Sequence, residues 1–125
     1  FLKRKTKKIR EKIPVRSLEE IALDQLQKLR EKELPEANHR DRLERLTQIM
    51  YGYLGQKLNW HPNQGGYNAL QKIAMELWSP NEARLLTELL RTLEEERFSG
   101  VEMEPKKFLT LYDRIYSLIE KRRAL

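Results

Sequence analysis

Histidine and cysteine are the side chains that most often carry acid–base, nucleophilic or metal chemistry near neutral pH, and this chain has few of them. It contains two histidines, His39 and His61, and no cysteine. The two histidines do not form an H-x-x-x-H pattern, which would place two metal ligands on one helix face. The pair Gly65-Gly66 is not a phosphate-binding loop. We therefore expect that the protein is not an enzyme and needs no metal or other cofactor.

Carboxylates are more numerous, but their positions do not indicate catalysis. Glu19-Glu20, Glu82 and Glu94–Glu96 fall at predicted helix starts or on polar helix faces. Acidic residues in the first turn favour the helix dipole, and exposed charges keep a protein soluble. We interpret these residues as surface charges.

Basic residues at the start of the chain could bind a polyanion. Residues 1–12 contain one acidic residue and seven basic ones, namely Lys3, Arg4, Lys5, Lys7, Lys8, Arg10 and Lys12. The whole chain has 25 basic and 19 acidic residues, so the part after residue 12 is neutral with 18 of each. Two polyanions fit such an arm: the anionic head groups of a membrane surface and the phosphates of nucleic acid.

The apolar pair Phe1-Leu2 runs directly into the basic cluster, as at the cytoplasmic end of a membrane-spanning helix. We therefore expect about 20 apolar residues upstream of this sequence, which would make the cluster a positive-inside flank. This hypothesis places the chain on the cytoplasmic face of the inner membrane, as part of a single-span membrane protein. No segment of the sequence itself is apolar enough to span a bilayer.

Composition and periodicity predict an all-α fold. Leu, Glu, Lys, Arg and Gln dominate while β-branched residues are scarce, and no segment has the pattern of a strand. The length suits one domain. We predict a compact bundle of about five helices over residues 17–125, preceded by a basic arm over residues 1–16.

The first three helices begin and end at recognisable residues. Ser17 and Glu20 form a capping box that starts a helix at residue 18, and Pro35 ends it. A second helix runs from residue 38 or 39 to residue 58. A short third helix covers residues 67–77, and Asn68 could cap it. The spacing of Gly52 and Gly55 inside the second helix indicates a place where another helix packs closely.

The last two helices have stronger signals. Ser79, Pro80 and Glu82 combine a cap, a proline at the first helical position and a capping-box glutamate. The fourth helix therefore begins at residue 80 and ends before Gly100. Its predicted buried stripe consists of Leu85, Leu86, Leu89, Leu90 and Leu93. Pro105 opens the fifth helix, whose basic end suits the helix dipole.

Aromatic residues bracket the one long irregular stretch, residues 59–66. They include Trp60, Tyr67 and Trp78, which we take as the candidate partner surface, because aromatic anchors are common in protein interfaces. Packing of the same rings around the loop, inside the core, is the alternative.

Several segments together resemble the cytoplasmic C-terminal helical tail of BatD-like aerotolerance proteins, a bacterial membrane protein family. They are Leu18–Leu29 (LEEIALDQLQKL), Leu46–Leu58 with its centre Tyr51–Leu54, Asn68–Leu77 and Leu85–Leu90. The resemblance covers residues 1 to about 120. It implies a docking or scaffold module in an envelope assembly, with VWA-domain proteins and a MoxR-type ATPase as partners.

Two other functions fit the same sequence. The first is a small helical protein that binds nucleic acid through its Lys/Arg arm, although the neutral body lacks the basic stripe that such proteins usually carry. The second is a scaffold that forms homodimers through one helix. The resemblance favours docking to another protein.

The basic arm generates a prediction. We expect the protein to bind vesicles containing anionic lipid, and the triple variant Lys3→Gln, Lys5→Gln, Lys7→Gln to bind roughly 100-fold more weakly, at about 1 kcal/mol per charge. Co-sedimentation with vesicles, with neutral vesicles as the control, measures this. Tight binding to duplex DNA that falls by roughly 1,000-fold between 50 and 200 mM salt would instead favour the nucleic-acid alternative.

Overall fold

The computed structural model describes residues 16–33, 39–100 and 103–124. The described residues form five α-helices and no strand: α1 (Leu18–Lys28), α2 (His39–Lys57), α3 (Gly66–Leu77), α4 (Pro80–Phe98) and α5 (Pro105–Arg123). A π-helical segment, Leu29–Glu33, continues α1. The predicted all-α bundle of five helices is confirmed. The basic arm lies outside the described residues apart from Arg16, as does Pro35.

Four helices form a closed ring. α1 packs against α2 and α5, and α4 packs against α2 and α5. Neighbouring helices in the ring are antiparallel, because hydrogen bonds and ion pairs join the start of one helix to the end of the next. Examples are Tyr53 with Glu19 between α2 and α1, and Arg97 with Glu44 between α4 and α2. The remaining helix, α3, packs along α4.

The core follows the predicted apolar stripes with few exceptions. Each helix contributes leucines that are essentially inaccessible to water, among them Leu26, Leu46, Leu54, Leu70, Leu86 and Leu90. Burying such a side chain contributes about 1.5–3 kcal/mol. One residue of the stripe predicted for the fourth helix differs, because Leu85 remains 38% exposed. Leu85 lies beside a groove between α4 and α5 that no described helix covers.

The helix caps test the local predictions directly. Ser17 and Ser79 are N-caps whose hydroxyl oxygens accept hydrogen bonds from the amides of Glu20 and Glu82, as predicted. The prediction that Asn68 caps α3 is wrong, because the N-cap is Gly65. Gly65 has φ +83°, and a Cβ there would lie 2.7 Å from the Cβ of Ala69. Glycine therefore starts α3 through its backbone conformation.

The prediction of close helix packing at Gly52 and Gly55 is also wrong. A Cβ at Gly52 would meet no atom within 4 Å, and one at Gly55 would meet only His61 and the Trp60 carbonyl, at ordinary contact distances. The neighbour of Gly55 is thus the loop that follows α2.

No described helix is long and apolar enough to cross a membrane.

The Ser79 cap generates a stability prediction. The Ser79 hydroxyl also donates to the Glu82 carboxylate, so one residue supports the start of α4 twice. We expect Ser79→Ala to lower the free energy of unfolding by about 1 kcal/mol, measured by urea denaturation. Ser117→Ala, an exposed serine in the middle of α5, is the control and is expected to change stability by less than about 0.5 kcal/mol. Equal effects of the two substitutions would contradict the capping role.

Candidate functional site

The ring of Trp60, the first residue of the candidate partner surface, lies in the core. Trp60 is 1% exposed, and its Nε1 donates a hydrogen bond to the Gly66 carbonyl at 3.1 Å. Its ring packs edge-on against Tyr51 and lies 6.4 Å from that of Tyr67. A partner therefore cannot reach this side chain. Of the two interpretations, core packing around the loop is the one that the structure supports for Trp60.

Tyr67 is half-buried and bonded to α4. Its hydroxyl donates to the Glu94 carboxylate at 2.6 Å and lies 3.4 Å from the Leu90 carbonyl. Burial and the neighbouring carboxylate raise the pKa of Tyr67 above its usual range. The hydroxyl therefore stays protonated, and its hydrogen bond to Glu94 connects the start of α3 to α4.

Trp78 is half-buried at the other end of α3. The guanidinium of Arg122 lies 4.6 Å from the centre of its ring, a cation–π contact, and also donates to the Glu82 carboxylate. Trp60 contacts the first residue of α3 and Trp78 follows its last, so the two residues lie at opposite ends of a helix about 18 Å long. The structure therefore groups Trp60 with Tyr67 but not with Trp78, so the three do not form one surface.

A buried polar cluster that the sequence did not reveal joins α1 to α2. Glu19 is 4% exposed, although it was expected at the surface. The Tyr53 hydroxyl donates to its carboxylate at 2.6 Å, and the Lys57 ammonium lies 3.0 Å away. Burial alone would raise the pKa of Glu19, but the hydrogen bonds from Tyr53 and Lys57 and the charge of Lys57 lower it below its ordinary value.

The Glu19 cluster fits a structural role better than a catalytic one. Each acceptor is matched to a donor on another helix, and burial together with the bond to Glu19 raises the pKa of Tyr53. A tyrosine with a raised pKa is a poor acid or base near neutral pH. Among the described residues, no three histidine or acidic side chains are grouped so as to hold a metal ion. His61 is exposed, and the side chain of His39 lies outside what the structure describes.

A polar cleft of about 610 Å³ lies between α1 and α5, and its lining side chains bond to one another. Gln27 donates to the Tyr116 hydroxyl at 2.9 Å, and Arg30 pairs with Asp113 at 3.7 Å. The Tyr112 hydroxyl donates at 2.5 Å to the Leu26 carbonyl, close to where the α-helix gives way to the π-helical segment. Burial raises the pKa of Tyr112 to about 12, so this hydroxyl remains a donor. These contacts brace the π-helical segment against α5.

A groove that combines apolar and polar side chains lies between α4 and α5. Two adjoining clefts of about 470 and 260 Å³ share Leu85, Thr110 and Arg114, so they form one continuous groove. Its floor includes Leu85, which is 38% exposed, and the buried side chains of Leu89, Leu111 and Leu118. Its rims carry charged and hydroxyl side chains. An apolar floor between polar rims is the usual composition of a groove that receives a helix. We name this surface the α4–α5 groove.

The chain matches no known family model, no curated protein and no solved structure. The resemblance to the tail of BatD-like proteins therefore stays a prediction.

The Glu19 cluster generates a prediction about pH. A carboxylate whose pKa is lowered by folding stabilises the protein above its unfolded pKa, near 4.5, and this contribution is lost as the pH falls through the lower folded pKa. We expect Glu19→Gln to reduce the free energy of unfolding by about 2 kcal/mol at pH 7, and by progressively less below pH 4.5. Urea denaturation at several pH values measures the difference. The neighbouring exposed residue supplies the control, Glu20→Gln, and a deficit for Glu19→Gln that did not shrink in acid would contradict the prediction.

Proposed function

We propose that this protein is a docking module, which binds another protein through the α4–α5 groove and catalyses no reaction. The observation that carries the proposal is the groove itself. It runs between two 19-residue helices, and no described helix covers it or the partly exposed Leu85 in its floor. Burying a partner's apolar side chains there would remove the partly exposed Leu85 from water, which favours association.

The position of the groove fits a docking role. α5 is held in the bundle by the Tyr112 bond to α1 and by the Arg122 pair with Glu82 of α4. The groove therefore belongs to helices whose placement does not depend on the partner. A binding surface built on such helices loses less conformational entropy on association than a loop would.

The partners and the place of docking come from the sequence resemblance and the arm. We propose that the module acts at the cytoplasmic side of a membrane-anchored protein, with the arm against anionic lipid. VWA-domain proteins and a MoxR-type ATPase are the first partners to test. Binding of the arm to nucleic acid is the alternative function, and neither hypothesis requires a small-molecule substrate.

Site-specific crosslinking tests the docking function. A photo-reactive benzoylphenylalanine placed at Ser117 in the groove is expected to crosslink a discrete protein in cells, which mass spectrometry then identifies. The same group at Gln48, an exposed position on α2, is the control. Crosslinking to the same protein with equal yield from both positions, or to none from Ser117, would argue against the groove as the docking surface.

A matched pair of substitutions then tests the contact with the purified partner. Leu85 and Leu109 are each 38% exposed, but only Leu85 lines the groove. We expect Leu85→Glu to weaken binding by at least about tenfold, since a buried leucine contributes about 1.5–3 kcal/mol, and Leu109→Glu to leave it unchanged. Calorimetric titration measures both affinities. Equal weakening by the two variants would contradict the proposal.

A further inference from the structure

The α5 rim of the groove carries a row of cations. Lys107, Arg114 and Lys121 are spaced seven residues apart, so they follow one line along the helix. Lys107 is paired with Glu96 of α4. Arg114 and Lys121 form no ion pair within the described part of the chain. The line therefore presents two charges that form no ion pair with a described residue.

The acidic side chains that line the groove balance this charge only in part. Of the acidic residues that line the groove, Glu82 is paired with Arg122 and Asp113 with Arg30 of α1. Only Glu88 on α4 remains, in the half of the groove closer to the start of α5. A ligand with basic residues along α5 would be repelled, which argues against the chain's own basic arm as the occupant.

Resting on the proposed docking function, we propose that the occupant of the α4–α5 groove is an amphipathic helix of a partner protein with an apolar stripe and acidic residues on the flank that faces α5. The stripe would pack on the partly exposed Leu85 and along the edges of the buried Leu111 and Leu118. Acidic residues would pair with Arg114 and Lys121. Leu111 and Leu118 repeat at the same seven-residue interval as these two cations. A partner helix with a heptad repeat would therefore place one row of its side chains against these leucines and a neighbouring row against the cations.

The dimensions of the groove set the length of the ligand. The lining residues span about 16 Å along α4 and about 21 Å along α5, at 1.5 Å per residue. A helix of about 14 residues covers this length. A third helix laid between two others is also the packing that bundles use, with apolar side chains filling the space between neighbouring ridges.

A display library of helical peptides tests the proposal. Each peptide has 18 residues with leucines at heptad positions, and its flanking positions are drawn from Glu, Gln and Lys. Selection is made on the full chain, with counter-selection on Leu85→Glu. The expected result is enrichment of Glu on one flank only. Enrichment of Lys, or no enrichment that depends on Leu85, would overturn the proposal.

Charge reversal on α5 supplies a second readout. Arg114→Glu combined with Lys121→Glu is expected to weaken a selected acidic peptide roughly tenfold in fluorescence anisotropy, because two attractive surface pairs become repulsive. The same selection on the double variant is expected to enrich Lys. Both side chains are exposed or rim residues without ion pairs, so circular dichroism should show an unchanged fold.

The outcomes separate this proposal from the docking function. Peptide binding that is lost in Leu85→Glu but survives the charge reversal would overturn the acidic partner and leave the groove as a docking surface. A dimer in sedimentation equilibrium that dissociates in Leu85→Glu would assign the groove to a second copy and overturn the partner helix. The crosslinking from Ser117 decides the docking function independently.

Discussion

A buried charge, the carboxylate of Glu19, joins the first two helices of the ring. It sits in the first turn of α1, where the helix dipole favours a negative charge, and it accepts bonds from Tyr53 and Lys57 near the end of α2. Removing a carboxylate from water costs several kcal/mol unless donors replace the lost hydration. These bonds form only when the start of α1 meets the end of α2. The cluster therefore specifies the register of two helices that leucines alone would hold less selectively.

The same end of the bundle contains a second charged pair, Glu82 with Arg122, which joins α4 to α5 in the same way. Both residues are close enough to Tyr53 to influence its pKa, so the two pairs form one polar region at which all four ring helices meet. The Nε of Arg122 is buried without a hydrogen-bond partner among the described residues, and the Trp78 ring covers the guanidinium. The cation–π contact offsets part of this loss of hydration. Trp78 thus serves the bundle by sealing its polar end.

Helix starts, which neighbouring residues decide, could be predicted from the sequence. The burial of particular side chains, which depends on residues distant in the chain, could not. The helix starts at residues 18, 80 and 105 follow from a cap or a proline next to the helix they begin, and the structure confirms them. The burial of Glu19 depends on residues 34 and 38 positions away, which no periodicity shows. Trp60 is buried because the loop turns back along α2, from a left-handed Asn59 with φ 52°, toward the start of α3. The aromatic ring of Trp60 suggested a contact with a partner, but the core of the fold accommodates the same ring.

The groove illustrates why a candidate site was the least predictable feature. Leu85 belongs to the same predicted leucine stripe as Leu86 and Leu89, yet it stays partly exposed while they are buried. Thr110 and Ser117 interrupt the leucines of α5, and the rims of the groove carry charge. The groove therefore does not expose a continuous apolar patch, which would promote aggregation. Such a surface is apolar enough to bind a partner and polar enough to remain in water without one. That balance would suit the reversible docking that we propose, and it is set by tertiary packing that a single sequence does not display.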